Sequence, residues 1–282
     1  MKRIVSIQDI SCFGKCSSTV ALPVLSALGI ETVILPTALL STHTGEFSDY
    51  SFLSLTDEMK KIIEHWKKEK IEFDAIYVGY IGSIEQIDII CDFIKSFSNK
   101  NTIVYVDPAM ADNAKLYSGL NHKYVEATKH LCSLADIISP NIYEAMLLCD
   151  IPCHSSYTDT DVELIARKLS EFSSKVIITG VHSDKDILTC GYDKLSDTYF
   201  TKKNTKIDGM FYGTGDVFAG AFIGTYMHSL TFSEAISFSD DFVQNCIEKT
   251  LPDTKKYWYG INFEKCLNIL TEFHKTHSNN NI

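Results

Sequence analysis

Residues 213–216 read Gly-Thr-Gly-Asp and run directly into a small, apolar stretch, Val217-Phe218-Ala219-Gly220-Ala221-Phe222-Ile223-Gly224. Two glycines allow a tight turn in which successive N–H groups point the same way. The helix predicted after them adds its own unpaired N–H groups and the positive end of its dipole. Such a site suits a phosphate or a developing oxyanion. Asp216 then sets a carboxylate at the mouth of that site. A carboxylate there repels a resting phosphate, so anion binding alone does not account for it. Removal of a proton from a hydroxyl that attacks a nearby phosphorus does. The chemistry read from these four residues is phosphoryl transfer to an alcohol. A simple turn with an Asp-capped helix has the same composition, so the choice rests on the rest of the chain.

Other residues offer complementary chemistry. Asp107 ends a predicted strand and Glu144 lies in the first turn of a predicted helix. Two carboxylates entering one cleft suit Mg²⁺, held in part through water because that ion keeps much of its hydration shell. Asn141 follows Ser139-Pro140 and can cap its helix, bond phosphate oxygens, or do both. His43 lies between Thr42 and Thr44, a setting that suits either recognition of a small polar ring or a histidine bonding its own loop. Tyr80 after Gly79 can pack on a flat aromatic substrate.

The elements that must position these residues alternate between β-branched runs and helical patterns. Strands are expected over 4–8, 32–36, 75–80, 102–106, 136–139 and 175–179. Helices are expected over 16–28, with Gly29 as its stop, and over 52–68, 84–96, 124–133, 142–149 and 161–172. This alternation indicates βαβ units and a largely parallel sheet. Residues 186–192 and 198–203 look like antiparallel strands around a turn near 194–197, and the last eighty residues look mainly helical. No linker or repeat divides the chain, so one α/β domain over 1–276 is expected, with a frayed polar tail over 277–282. In open parallel sheets ligands lie beyond the carboxyl ends of the strands. Polar residues follow each predicted strand there: Asp9 and Ser11, the 42–45 loop, Gly79-Tyr80, Asp107-Pro108, Ser139-Pro140-Asn141 with Glu144, and Thr179-Gly180. A turn without function does not account for that convergence.

Composition narrows the function classes. The 282 residues are 45% hydrophobic and 22% charged, ordinary for a globular enzyme. A net charge of −10 argues against a nucleic-acid surface and leaves any polyanionic substrate to backbone amides and a metal ion. No apolar run is long enough for a membrane span, and the opening residues lack the long apolar core of a signal peptide, so a cytoplasmic protein is expected. Cys12/Cys16 and Cys149/Cys153 are each four apart and match no zinc-site spacing; the nine cysteines are expected to be free. There is no GxxxxGK[ST] and no GxGxxG, which sets aside P-loop kinases and weakens a dinucleotide-binding reading.

Taken in order, Ser6-Ile7-Gln8, Gly14, Ala21-Leu22-Pro23, Thr42-His43-Thr44-Gly45, Val78-Gly79-Tyr80, Asp107-Pro108 with Asp112, Ser139-Pro140-Asn141 with Glu144, and Gly213-Thr214-Gly215-Asp216 resemble the ribokinase-like superfamily. The His-Thr-Gly loop and the Ile-Gln opening are similar to the pyridoxal (vitamin B6) kinase branch, over roughly residues 3–250. The resemblance implies a three-layer α/β/α fold, often a homodimer, using ATP and Mg²⁺, with or without a monovalent cation. It implies Asp216 as the base toward the 5′-hydroxymethyl group of a B6 vitamer, and the N–H groups of Gly213, Thr214 and Gly215 as the anion hole. Thr44 would bond the ring hydroxyl, with His43 and Tyr80 lining the ring pocket. Asp107 and Glu144 would hold Mg²⁺ or its waters. Ser139, Asn141, Thr179, Gly180 and Thr214 would lie on the nucleotide side, and Asp112 and Tyr117 on a covering loop.

Two positions depart from that branch: Asp9 stands where it has Ser facing the pyridine nitrogen, and Thr42 where it has Asn. Asp9 therefore bears on which vitamer is preferred. A hydroxymethylpyrimidine kinase shares the fold and a flat substrate, but that branch carries Cys where Asp216 stands. A sugar kinase, or a protein that binds these ligands without turnover, is the remaining alternative.

Overall fold

In the computed structural model, residues 1–155, 157–183 and 185–278 are described. The elements run β1 (Arg3–Phe13), α1 (Ser18–Ala27), β2 (Glu31–Thr42), β3 (Phe52–Ser54), α2 (Thr56–Glu69), β4 (Ala75–Val78), α3 (Ile84–Phe97) and β5 (Ile103–Val106). They continue with β6 (Ala111–Asp112), β7 (Lys115–Leu116), α4 (His122–Cys132), β8 (Ile137–Ile138), α5 (Ile142–Leu148), α6 (Asp159–Leu169), β9 (Lys175–His182), β10 (Asp186–Asp193) and β11 (Thr198–Thr205). The helices α7 (Thr214–Met227), α8 (Phe232–Thr250) and α9 (Leu267–Ser278) close the chain. The architecture is mixed α/β with mostly parallel strands flanked by helices, as the alternating pattern requires.

The chain divides into two compact units, residues 1–55 with 204–282, and residues 56–203. In the first, β1 pairs in parallel with β2, and the register shifts by a bulge between Gln8 and Ile10, which sets Asp9 at the irregularity. A bulge re-aims a side chain without ending the strand. Helix α7 is buried along almost its whole length, from Val217 to Thr225, consistent with an apolar composition on every side. Its glycines let α1 approach closely: a Cβ on Gly224 would lie 2.3 Å from Leu28 Cδ1.

In the second unit, β4, β5, β8 and β9 are parallel neighbours, and β10 turns back antiparallel to β9. Tyr77 and Tyr105 stack between β4 and β5 with ring centroids 5.3 Å apart. Residues 111–116 form the small hairpin of β6 and β7, whose two-residue turn holds Asn113 at φ 48° and Ala114 at φ 61°.

Three sequence expectations change, the first being that β1 runs on to Phe13 past the expected end at residue 8, so that Asp9 and Ser11 lie within the strand and not after it. The apolar run at Phe52-Leu53 suggested a helix over 52–68, but Phe52–Ser54 pairs antiparallel with Ala38–Leu40 of β2, and the helix begins only at Thr56. Tertiary strand pairing overrides a three-residue helical signal. β2 also runs on to Thr42, well past the expected end at residue 36. The antiparallel pair over 186–192 and 198–203 is found as β10 and β11. Of the expected polar tail, residues 279–282 lie outside the described residues, and His277 still belongs to α9.

Candidate functional site

In the first unit, Gly213 caps α7 at φ 80°, ψ 4°, a left-handed conformation that favours glycine. A Cβ there would meet the Lys15 carbonyl oxygen at 1.9 Å, so the position is closed to any other residue without a shift of the 14–17 turn. No side chain caps this helix, in contrast to α5, α6 and α8, which carry full capping boxes. Its first-turn N–H groups therefore remain available to an anion. A Cβ at Gly215 would meet nothing within 4 Å, so the space over this helix end is open.

Asp216 occupies the third helical position and is half-buried. Burial pushes its carboxyl up to about 7, the Ser17 N–H opposes that rise, and the nearby Asp9 charge adds to it. Asp9 is buried at 4% exposure. Its Oδ2 accepts from Ser11 Oγ at 2.8 Å. Burial raises it too, against the pull of the Ser17 and Ser11 hydroxyls. Among the described residues no Lys or Arg forms an ion pair with either carboxylate. Cys16 lies beside both and is driven far up by burial and by their charges, which leaves it a neutral thiol.

Ser17 starts α1 at φ 53°, ψ −132°, a strained conformation for a non-glycine residue. The neighbouring Lys15 turns away from the carboxylates: its Nζ donates to Asn262 Oδ1 at 2.9 Å and to Glu264 Oε2 at 2.6 Å.

His43 takes the structural role of the two open to it. Its Nδ1 accepts from the Gly45 N–H at 3.0 Å, so its Nε2 carries the proton and donates to the Tyr259 carbonyl at 2.8 Å. Burial lowers its pKa and keeps the ring neutral. Glycine at position 14 makes room for it, since a Cβ there would lie 2.2 Å from His43 Cδ2. Thr44 is exposed on the adjoining loop. The Thr42 hydroxyl is buried without a hydrogen-bond partner.

In the second unit, Glu144 is fully buried and spends both oxygens on backbone groups. Oε1 accepts from Met110 N at 2.9 Å and Ala111 N at 3.2 Å, and Oε2 from Asn141 N at 2.9 Å. Burial pushes it up to about 7 despite these bonds. Asn141 is equally committed: Oδ1 accepts from Tyr143 N and Glu144 N, and Nδ2 donates to Ala111 O. The loop after β5 is thus tied to the start of α5. Asp107, half-buried, follows β5. Ser139 after β8 bonds Tyr105 through its hydroxyl at 2.6 Å. Thr179 bridges to Asn141, and Gly180 sits beside it at φ 66° with nothing within 4 Å of a would-be Cβ. Asp112 is exposed in the β6–β7 hairpin, and Tyr117 after it lies 6.3 Å from the Tyr80 ring.

The oxygen donors of Asp107 and Glu144 suit a hard cation such as Mg²⁺. Glu144 spends its oxygens on three N–H groups, so the Asp107 carboxylate would be the one left for direct ligation of such an ion. A second group of metal-capable side chains, His122, Glu126 and Asp150, is exposed. Lys129 bonds both carboxylates and offsets part of their charge.

The sequence reading missed Lys15, Ser17, Tyr212 and the segment around Tyr259. Only the Gly14-Lys15-Cys16-Ser17 run after the first strand carried a signal that could have found any of them.

Two outcomes follow from this geometry. Gly213→Ala forces a Cβ into the Lys15 carbonyl and disorganises the α7 N-terminus. Its turnover should fall at least ~10²-fold, the scale of losing an oxyanion donor, while a melting curve still shows a folded protein. For Asp216, the folded value of about 7 lies above the ordinary 3.8. The folded state therefore holds its proton where the unfolded chain has lost it, and stability falls as pH rises from about 4 to about 7. Asp216→Asn removes that loss, so it should melt above wild type at pH 8, with the difference shrinking toward pH 4. An equal difference at both pH values would contradict the burial argument.

Comparison with known proteins identifies the family of the chain. Residues 22–259 match the phosphomethylpyrimidine kinase family. The chain is similar to a pyridoxal kinase of Arabidopsis thaliana, 27% identical over 267 residues that cover 91% of this chain and 85% of that one. Among solved structures it is similar to a Bacteroides thetaiotaomicron protein assigned as a phosphomethylpyrimidine kinase, crystallised with pyridoxal, at 36% identity, TM-score 0.92 and 95% coverage of both chains. It is also similar to the pyridoxal kinase of Lactobacillus plantarum, at 25% identity and TM-score 0.91, covering 98% of this chain and 99% of that one. The chain belongs to the phosphomethylpyrimidine kinase family, within the ribokinase-like superfamily and alongside the pyridoxal kinases that its motifs resemble.

Proposed function

We propose that this protein is an ATP-dependent kinase that transfers a phosphoryl group to the 5′-hydroxymethyl group of a B6 vitamer. The observation that carries the reading is a carboxylate raised to about 7 at the uncapped, anion-receptive N-terminus of α7. A base with that affinity is half-ionised near neutral pH, where proton abstraction is most effective. Pyridoxal in the similar Bacteroides protein and the pyridoxal kinase relatives support the acceptor.

In this reading Asp216 takes the hydroxyl proton as the oxygen attacks the γ-phosphorus, and the bond from that phosphorus to the β-phosphate's bridging oxygen breaks to release ADP. The N–H groups of Gly213, Thr214 and Gly215 receive the transferring phosphoryl, and the α7 dipole favours its growing negative charge. Thr44 bonds the ring hydroxyl, and Asp9 faces the ring nitrogen. His43 supports the ring pocket by holding the 43–45 loop and the Tyr259 carbonyl in place. Ser139, Asn141, Thr179 and Gly180 line the nucleotide side, with the Asp112–Tyr117 hairpin as its cover. Bound Mg²⁺, which neutralises phosphate charge, would be held by Asp107 directly and by Glu144 through water. The reading includes one kinase domain over 1–276, a cytoplasmic location and a homodimer.

A coupled assay with ATP, Mg²⁺ and a panel of pyridoxal, pyridoxamine, pyridoxine, hydroxymethylpyrimidine and ribose tests it. Turnover of a B6 vitamer is expected. Preference for hydroxymethylpyrimidine, which the family description favours as the second reading, would replace the vitamer with the pyrimidine. Asp216→Asn should lose at least ~10²-fold in kcat with ATP binding intact, and a near-normal kcat would remove it from the base role. Asp9→Ser should change the ratio of kcat/KM among the three vitamers; unchanged ratios would place Asp9 outside ring recognition.

A further inference from the structure

The first unit carries a run of aromatic rings of which only His43 has an assigned role. It starts at Tyr212, immediately before the Gly213 cap, and passes to His43 at 5.1 Å between ring centroids. From His43 it continues to Phe47 at 4.9 Å and from Phe47 to Trp258 at 4.7 Å. Phe13, the last residue of β1, joins it edge-on to Phe47 at 6.0 Å and against Tyr259 at 4.6 Å. His43 lies close enough to Asp9 for the carboxylate to act on the ring's proton affinity. A chain of ring contacts therefore links Tyr212, next to the Gly213 cap, through the buried His43 to an open rim.

At that rim two large rings remain in water: Phe13 is 48% exposed and Trp258 43% exposed. Adjacent apolar faces left in water beside a polar site mark a ligand surface. The segment carrying Trp258 is held firmly. His43 Nε2 donates to Tyr259 O, Ile261 N to Tyr212 O at 3.1 Å, and Asn262 N to Thr250 Oγ1 at 2.8 Å. The rings are thus presented on a fixed backbone, which limits the entropy lost when a flat ligand settles on them.

We propose that Phe13, Phe47 and Trp258 form the specificity surface that packs on the acceptor's heteroaromatic ring and selects a planar acceptor over a saturated one such as a sugar. The proposal rests on the phosphotransfer reading above. A ring stacked there gains offset or edge-to-face contact that a saturated ring cannot make. The carboxylate of Asp9 lies near His43 of the same run, suited to a ring nitrogen or hydroxyl.

The test is steady-state kinetics and calorimetric binding of pyridoxal, pyridoxamine and pyridoxine on wild type, Phe47→Ala, Trp258→Ala, Trp258→Leu and Trp258→Phe. Trp258→Ala, Trp258→Leu and Phe47→Ala should each weaken vitamer binding ~10-fold or more, with the loss in KM and Kd for the acceptor and not in KM for ATP. Trp258→Phe should restore most of the affinity. The leucine variant separates stacking from simple filling of space: if it binds as well as the phenylalanine variant, the ring has no specific role and the proposal fails. It fails equally if wild type phosphorylates a vitamer and all four variants bind it within two-fold of wild type. If wild type phosphorylates no vitamer, the acceptor reading fails first and the proposal with it. Should the alanine variant not fold, the Leu and Phe pair still decides.

Discussion

Two carboxylates, Asp9 and Asp216, lie close together in a desolvated corner of the first unit with no cationic partner among the described residues. Removing an ionised carboxylate from water is costly, and a like charge nearby adds to the cost. The surrounding structure contains that cost. The α7 N-terminus offers Asp216 the positive end of a dipole. Ser11 and Ser17 give Asp9 hydroxyl donors, and the Ser17 N–H faces Asp216. Ser17 accepts a backbone conformation suited to glycine in doing so. Strain at a non-glycine residue next to a raised carboxylate is the pattern of a site where stability is given up for reactivity.

Glu144 in the second unit makes a useful contrast. Burial raises it to about 7 as it does Asp216. Yet its two oxygens accept three backbone N–H bonds, and those bonds knit the loop after β5 to the start of α5. A carboxylate whose lone pairs are spent on the backbone is a structural tie. Asp216, at an open helix end, accepts one backbone N–H, from Ser17. The same shift in proton affinity thus accompanies two different hydrogen-bond settings.

His43 shows how a loop residue can organise a site without touching the reacting atoms. Its neutral ring receives one backbone N–H and donates to one carbonyl, so it fastens the 43–45 loop to the Tyr259 segment. Small residues at 14 and 45 give it room; a side chain at Gly45 would run into the Tyr212 ring at 2.5 Å. Through Tyr212, Tyr259 and Phe47 it links the α7 cap to an exposed aromatic rim.

The sequence by itself determined the alternation of strands and helices, the parallel sheet and the Gly-Thr-Gly-Asp helix start. Each of these depends on local periodicity or on the backbone freedom of glycine, which neighbouring residues alone express. It also placed Asn141 and Glu144 together at the start of α5, where a polar segment follows a parallel strand. It did not decide what each polar atom bonds. Glu144 looks the same in sequence whether it ties down a loop or holds an ion, and His43 whether it reads a ring or fastens a strap. Those distinctions depend on backbone groups distant along the chain, such as Met110 for Glu144 and Tyr259 for His43. The short β3 pairing, the strained Ser17 and the Trp258 segment were hidden for the same reason. Long-range hydrogen bonds and burial fixed them, and no local propensity encodes either.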